Sequence, residues 1–306
     1  MDRSALEKIL AYIDSHIHEK INLSELSDVA GYSPFYFSRL FSEAMGMPVT
    51  GYIRVRKLQH AVVSLLEGQK VLDVALLYAF DSHEGFTRAF TQLFGMAPSV
   101  LRRRLASYSV PEYVVPANIK GGFLVEEKNS SDLRQNMHRL AFEFLEQSLG
   151  EAREGFCTEI IIGLLPENKV KISDNGRGLP LSGDLQADEA ALDKILAGGP
   201  ITGAEYCRVG DLKQPGLQTV NSLCEALRIT VYRDGSQSTQ DYIRGVAQHD
   251  LHVSASERPG GTEVVLKPDA AIFGETKFSE EILCAWIKDK SAGIDNLKIE
   301  VYNALY

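Results

Sequence analysis

The sequence predicts a multidomain protein: an all-α tandem helix-turn-helix domain followed by an α+β sandwich. Three observations carry this. Apolar residues recur at helical spacing over residues 4–106, with the same turn-and-helix pattern appearing twice. Residues 108–117 hold two prolines and no helical period. Beyond them, short apolar strand patterns alternate with amphipathic helices, one strand ending in Asp174-Asn175-Gly176-Arg177-Gly178-Leu179-Pro180. A chain of 306 residues is long enough for two cores.

In the first part, Leu6, Ile9, Leu10, Ile13 and Ile17 form a helical stripe over 4–19. Ser24 is the expected cap of a short helix, and Gly31-Tyr32-Ser33 the turn after it. Ser33 with Pro34 at the first helical position starts a helix that runs to about Met45 and ends at Gly46. A long helix over about 49–67 leads to the second unit. There residues 71–79 form a short helix, Phe80-Asp81-Ser82 the turn, and 83–94 a helix ending at Gly95. The repeat shows in the residues: Phe37-Ser38-Arg39-Leu40-Phe41 answers Phe86-Thr87-Arg88-Ala89-Phe90, and Gly46-Met47-Pro48 answers Gly95-Met96-Ala97-Pro98.

The second helix of each unit is the one that enters a major groove. Arg39 and Arg88 hold equivalent positions, and Arg is the best bidentate reader of guanine. Phe35, Tyr36, Ser38, His83, Glu84 and Thr87 complete the candidate double-stranded DNA face, while Phe37, Phe41, Phe86 and Phe90 read as core. This stretch resembles the DNA-binding domain of the AraC/XylS family of bacterial transcription regulators. The likeness implies that RNA polymerase is a partner, and it leaves a homodimer open.

Charge divides the chain the same way. The formal net charge is −9, yet residues 1–108 hold 12 Lys and Arg against 11 Asp and Glu, and the remainder 20 against 30. Any DNA affinity then rests on placed residues, not bulk charge. Cys157, Cys207, Cys224 and Cys284 are scattered, with no Cys-x-x-Cys, which excludes a zinc ribbon and points to reduced thiols. No apolar run reaches membrane-span length and no signal-peptide core is visible, so a cytoplasmic location away from the membrane is expected.

The domains expected are 1–107, a linker at 108–117, and 118–306. Within the last, 132–150 is an amphipathic helix bearing Leu133, Met137, Leu140, Ala141, Phe144, Leu145 and Leu149. Strands follow at 158–164 and 169–173 around Pro166-Glu167-Asn168, then a helix at 188–197 and a long, mobile loop marked by Gly198, Gly199, Gly203 and Gly210. A helix at 216–227 precedes strands near 228–233, 239–245, 249–255 and 262–267, a helix at 279–289 and a last strand at 297–302. The chemistry available is nucleotide-like recognition. A strand-end carboxylate can accept an exocyclic amine, and the glycines after it let a flat ring approach the backbone.

In order, the segment carries His138, Phe142-Glu143, Cys157-x-Glu159-Ile160-Ile161, the Asp174–Pro180 run, Leu196-Ala197-Gly198-Gly199, Gly216, Val220-Asn221-x-Leu223 and Gly261-Thr262-x-Val264. It resembles the ATPase domain of DNA gyrase B, a member of the GHKL fold. That resemblance implies roles. Asp174, assisted by Thr262, would hold an adenine-like edge. Gly176 and Gly178 would shape the floor, and Arg177 and Pro180 would flank the mouth. Phe144, Ser148, Ile172, Leu179 and Val264 would line the pocket, and Glu143 stands where the family keeps its general base.

Departures from the family pattern bear on function. Gln147 replaces the family's magnesium-binding Asn, and Mg²⁺ tolerates little misplacement of an oxygen. The phosphate lid reads Gly210-Asp211-Leu212-Lys213-Gln214-Pro215-Gly216, where Pro215 removes an N–H donor and Asp211 adds like charge. The sequence read ends before the position expected for the family's lysine-donating next domain, and the position of the family's coumarin-meeting arginine falls near Thr239, which counts against close mimicry of a coumarin target. The expectation is a regulator with no required cofactor and no metal site, sensing a gyrase ATP-site inhibitor or an adenine-like compound and controlling drug-resistance or stress genes. Two alternatives stand beside it: a switch that binds or hydrolyses ATP with Glu143 as base, and a constitutive regulator whose second domain only dimerises.

Overall fold

The computed structural model describes residues 3–106, 128–179 and 216–304. The chain divides into two compact units, Met1–Arg103 and Arg104–Tyr306. The linker at 108–117, the helix at 188–197, Pro180, Cys207 and the loop at 198–215 lie outside the described residues.

The first unit is helical: α1 Arg3–Ser15, α2 Leu23–Ala30, α3 Pro34–Met45, α4 Val49–Leu66, α5 Val71–Leu77, α6 His83–Phe94 and α7 Pro98–Ala106. Helix α1 stops four residues short of the expected end, where the Ser15 hydroxyl donates to the Tyr12 carbonyl. The cap of α2 is Asn22, not Ser24. Asn22 Oδ1 accepts the Glu25 N–H at 2.9 Å and Glu25 answers to the Asn22 N–H, a reciprocal box one turn deep. Ser33 occupies the cap position of α3 without a side-chain bond, so Pro34 at the first turn sets that start. Ser82 caps α6 outright, accepting from Gly85 N at 3.0 Å. Gly46 and Gly95 close the two reading helices at φ 67° and 68°, a left-handed turn that side chains other than glycine disfavour. Helix α7 is not signalled by the hydrophobic pattern.

Phe37, Phe41, Phe86 and Phe90 are fully buried, as the repeat implied, and so is Phe94. Helix α4 runs through the core and carries the buried Arg56. Its Nε donates to Asp14 at 2.8 Å and its Nη1 to Gln59 at 2.8 Å, fixing α4 to α1. A buried cation held this way resists loss of either partner, because an unpaired charge would be left in the core.

The second unit begins with α8 Lys128–Arg153, then β1 Glu159–Leu165 and β2 Lys169–Asp174. After α9 Gly216–Leu223 come β3 Cys224–Arg233, β4 Ser236–Ile243, β5 Val246–Ala247, β6 His252–Ala255 and β7 Gly260–Pro268. Helices α10 Ala270–Phe273 and α11 Glu280–Lys290 precede β8 Lys298–Asn303. The strand order is β5-β4-β3-β7-β2-β1-β8, with β6 on β4, and among the described residues only the β1–β8 pair is parallel. Helix α9 ends four residues before the expected point. Cys224 and Leu227 pair with Pro268 and Leu266 of β7, and that ladder outweighs the local helical preference. The β1–β2 turn puts Glu167 and Asn168 at φ 62° and 58°, which matches the strand twist.

Helix α8 packs on β2 and β7 and touches α9, α10 and α11. Its apolar side is buried from Met137 to Leu149, and Phe142 stacks on Trp286 of α11 at 4.3 Å and 7°. His138 accepts the Ser279 N–H at the start of α11. His138, in the body of α8, thus fixes the start of α11 to that helix, within the core.

Candidate functional sites

In the first unit the two reading helices share a skeleton and differ on the surface. On α3, Phe35 is 84% and Tyr36 43% exposed. Arg39 is exposed, lies 5.3 Å from the Tyr36 ring centre and 3.7 Å from Glu43. On α6, His83, Glu84 and Arg88 are exposed, while Ser38 of α3 and Thr87 of α6 are half-buried at equivalent positions. The expected reading residues therefore sit on two solvent-facing helix faces whose apolar backs are locked by buried phenylalanines.

In the second unit a cleft of about 410 Å³, its open mouth included, lies where α8 meets β2 and β7. The strand pairing makes it: Ile172 sits opposite Val264 and Ser173 opposite Glu263, so Asp174 arrives beside Thr262. Phe144, Gln147 and Ser148 reach it from α8, one helical turn and the next residue apart. Ile172, Asp174, Gly178, Leu179, Thr262 and Val264 complete the expected lining. Glu143, Gly176 and Arg177 are not among the lining residues, and Pro180 is undescribed. Glu151, unforeseen, lines it too. Its signal was present in the helical spacing Gln147-Ser148-Glu151, a polar stripe that follows the apolar Phe144 on the same face of α8.

Asp174 is 6% exposed, and its carboxylate is held on three sides. Oδ1 accepts from Gly176 N at 3.0 Å and Thr262 N at 3.2 Å, and Oδ2 accepts the Ser148 hydroxyl at 2.8 Å. Burial pushes its pKa up, against the pull of these three bonds. Oδ2 has accepted one bond, so it keeps capacity for a ligand donor. Thr262 Oγ1 accepts from Leu179 N at 3.1 Å, which leaves its hydroxyl proton available to the cleft. Arg258 donates to the Asp174 carbonyl and to Ser173 Oγ and lies over the Tyr232 ring, bracing the strand end from behind.

The glycines are needed for closeness. Gly261 has φ 121°, and a Cβ there would overlap the Asp174 carbonyl oxygen. Gly178 has φ 79°, and a Cβ would come within 3.0 Å of the Gly261 oxygen. Arg177 is engaged beside the cleft. It makes two side-chain bonds to Glu151, at 2.9 and 2.7 Å, and one to Glu154 at 2.7 Å, with its guanidinium 3.7 Å above the Phe156 ring. Burial disfavours the ionised Glu151, but the Arg177 bonds and charge outweigh it and hold its pKa below the ordinary range. Glu143 is fully buried one turn before Gln147. Thr239, near which the family's coumarin-meeting arginine would fall, pairs its hydroxyl with Thr230 at 3.1 Å. Cys157, beside the cleft motif, is pushed up to about 11 by burial and the Asp174 charge, an unreactive thiol.

Residues 26–104 match the family described as "Helix-turn-helix domain". The uncharacterized HTH-type transcriptional regulator YbfP of Bacillus subtilis is 39% identical over 99 residues, 32% of this chain and 34% of that protein. The DNA gyrase B protein of Thermotoga maritima is 31% identical over 198 residues, 63% of this chain and 30% of that protein. The chain joins an AraC-type helix-turn-helix domain to a region homologous to DNA gyrase B. The chloroplastic/mitochondrial DNA gyrase B protein of Oryza sativa is 35% identical over 153 residues, 46% of this chain and 21% of that protein. A crystal structure of the 43K ATPase domain of Thermus thermophilus gyrase B in complex with an aminocoumarin aligns over 55% of this chain and 43% of that one, with 26% identity and a TM-score of 0.46. The chain spans about a third or less of the length of the relatives it matches. No described helix is long and apolar enough to cross a membrane.

Proposed function

We propose that this protein is a ligand-responsive transcription regulator and not an enzyme. The helix-turn-helix units bind double-stranded DNA, with Arg39 and Arg88 reading bases and Phe35, Tyr36, Ser38, His83, Glu84 and Thr87 around them. The gyrase B-like region senses a small molecule at Asp174, either a gyrase ATP-site inhibitor or an adenine-like compound, and the regulated genes serve drug resistance or stress. The observation that carries the reading is the buried Asp174 carboxylate, fixed by three donors with acceptor capacity left toward the cleft. A regulator built on the fold of a drug's target can respond to the drug by the same contacts. Coupling requires that the ligand prefer one DNA-binding state over the other.

The test is a calorimetric titration of the full chain with an ATP-site gyrase inhibitor and, separately, with ATP and Mg²⁺. Inhibitor binding that is lost in Asp174→Asn supports the reading. ATP turnover abolished by Glu143→Ala would replace it with a nucleotide-hydrolysing switch. Inducible transcription unaffected by Asp174→Asn would leave the second domain a scaffold.

A further inference from the structure

A hollow of about 1370 Å³, its open mouth included, lies inside the first unit. Helix α4 presents Thr50, Arg54 and Lys57 to it, and α6 presents Gly85, Arg88 and Gln92, each set on one helical stripe. The loop before α2 adds Lys20, and the turn before α6 adds Asp81. The chain fixes where this hollow lies. Helix α4 starts at Val49, just past the Gly46 that closes the first reading helix, and Arg88 stands on the second. The hollow therefore reaches from the end of one reading helix to the flank of the other.

Its charge is lopsided. The ionisable lining is Lys20, Arg54, Lys57 and Arg88 against the carboxylate of Asp81. Arg54 and Arg88 are exposed and form no ion pair among the described residues. Lys57 is buried, and its Nζ donates to the Glu19 carbonyl at 2.6 Å, which holds the Lys20 loop against α4. Burial, and then the Lys20 charge, push the Lys57 pKa below its ordinary value. Lys20 Nζ donates to Asp81 at 2.8 Å, and both side chains are exposed. That pair ties the loop before α2 to the turn before α6.

When α3 and α6 enter successive major-groove segments, the minor groove between them turns toward the protein with its two bounding phosphate strands. Those phosphates meet the hollow. We propose that backbone phosphates of the DNA between the two read grooves seat on Arg54 and Lys20, and that Asp81 is an internal counter-ion which a phosphate displaces from Lys20. Lys57 is a positioning residue here, holding the Lys20 loop and adding charge from beneath. The seat sets register and affinity without reading bases, since phosphate is the same in every sequence. Asp81 lowers this sequence-independent part of binding. The proposal rests on the reading of α3 and α6 as the groove-entering helices.

The test is binding of the full chain to a fluorescein-labelled, mixed-sequence duplex of about three helical turns, over a series of KCl concentrations. Arg54→Gln and Lys20→Gln should each flatten the slope of log K against log[KCl] by about 0.5–0.9, up to one phosphate apiece. Melting temperature is the folding control. Asp81→Asn should tighten binding about threefold at low salt, and the gain should shrink by about half in a Lys20→Gln background. The seat is overturned if either well-folded variant, Arg54→Gln or Lys20→Gln, keeps the wild-type slope. It is overturned too if octanoate raises the wild-type melting temperature but not that of Lys20→Gln while the slopes stay equal, because the hollow then holds a small organic anion. An Asp81→Asn gain that is absent, or equal with and without Lys20, removes the counter-ion role. If the wild type binds no duplex at any salt, the DNA-reading assignment itself falls and takes the seat with it.

Discussion

The DNA-reading unit and the cleft hold their candidate residues in opposite ways. Arg39, Arg88, Phe35 and Tyr36 stand in solvent on helices whose other faces are locked by phenylalanines. Asp174 and Ser148 sit where strand, helix and glycine backbone converge, and their partners also hold the sheet edge together. Function and stability are separable in the first region and entangled in the second. Substitutions should expose that difference.

The largest effect is expected at Gly261. A Cβ at φ 121° that overlaps the Asp174 carbonyl cannot be relieved by a side-chain rotation, because both atoms are backbone-fixed. Gly261→Ala should lower the stability of the second unit by about 3 kcal/mol or more and abolish ligand binding together with it. Urea unfolding followed at Trp286, the chain's one tryptophan, which is buried in that unit, reads the change directly. A Gly261→Ala protein as stable as wild type would break the claim that the cleft and the fold are one structure.

Asp174→Asn is the sharper probe. The amide oxygen can still accept from Gly176 and Thr262, and Ser148 can turn to accept from the new amine. Stability should change by less than about 1 kcal/mol, while ligand affinity drops by about tenfold or more. Acidity should act similarly. A raised Asp174 pKa means that the ionised form costs native stability above that value, and the cost is relieved as pH falls toward the ordinary 3.8. Ligand binding that needs the carboxylate should therefore weaken on acidification well before an exposed Asp would titrate, and Asp174→Asn should remove that dependence.

What the sequence made legible follows from where each signal resides. Helices α3 and α6 were found to within a residue because proline, Ser82 and the two left-handed glycines act locally. The end of α9 was missed because Cys224–Leu227 becomes strand only through pairing with β7, some forty residues on. Most of the cleft lining was found, since the Asp174–Gly178 run is contiguous and α8 is periodic. Glu151 was missed because the partner that explains it, Arg177, is 26 residues away in sequence. Glu143 was expected in the cleft on resemblance alone, but the α8 face turned to the cleft carries Phe144, Gln147, Ser148 and Glu151.

The smallest effects belong to the surface. Arg88→Ala should cost about 1–3 kcal/mol of DNA discrimination if it reads a guanine, and leave melting within about 0.5 kcal/mol of wild type. Arg39→Ala should cost slightly less. Arg39 must leave Glu43, at 3.7 Å, before it can reach a base, whereas Arg88 forms no ion pair among the described residues. An exposed pair of this kind is worth only a few tenths of a kcal/mol. Glu43→Ala frees Arg39 and removes a like charge from the phosphate side, so it should raise DNA affinity by about 0.3–0.5 kcal/mol and bring the two arginines to parity. Binding measured at two salt concentrations separates the contributions. A base-reading arginine changes which sequences are preferred, while a phosphate contact weakens all of them and flattens the salt slope. If Glu43→Ala leaves Arg39→Ala still the weaker of the two, the difference between the helices lies in their aromatic and His-Glu N-terminal turns and not in this ion pair.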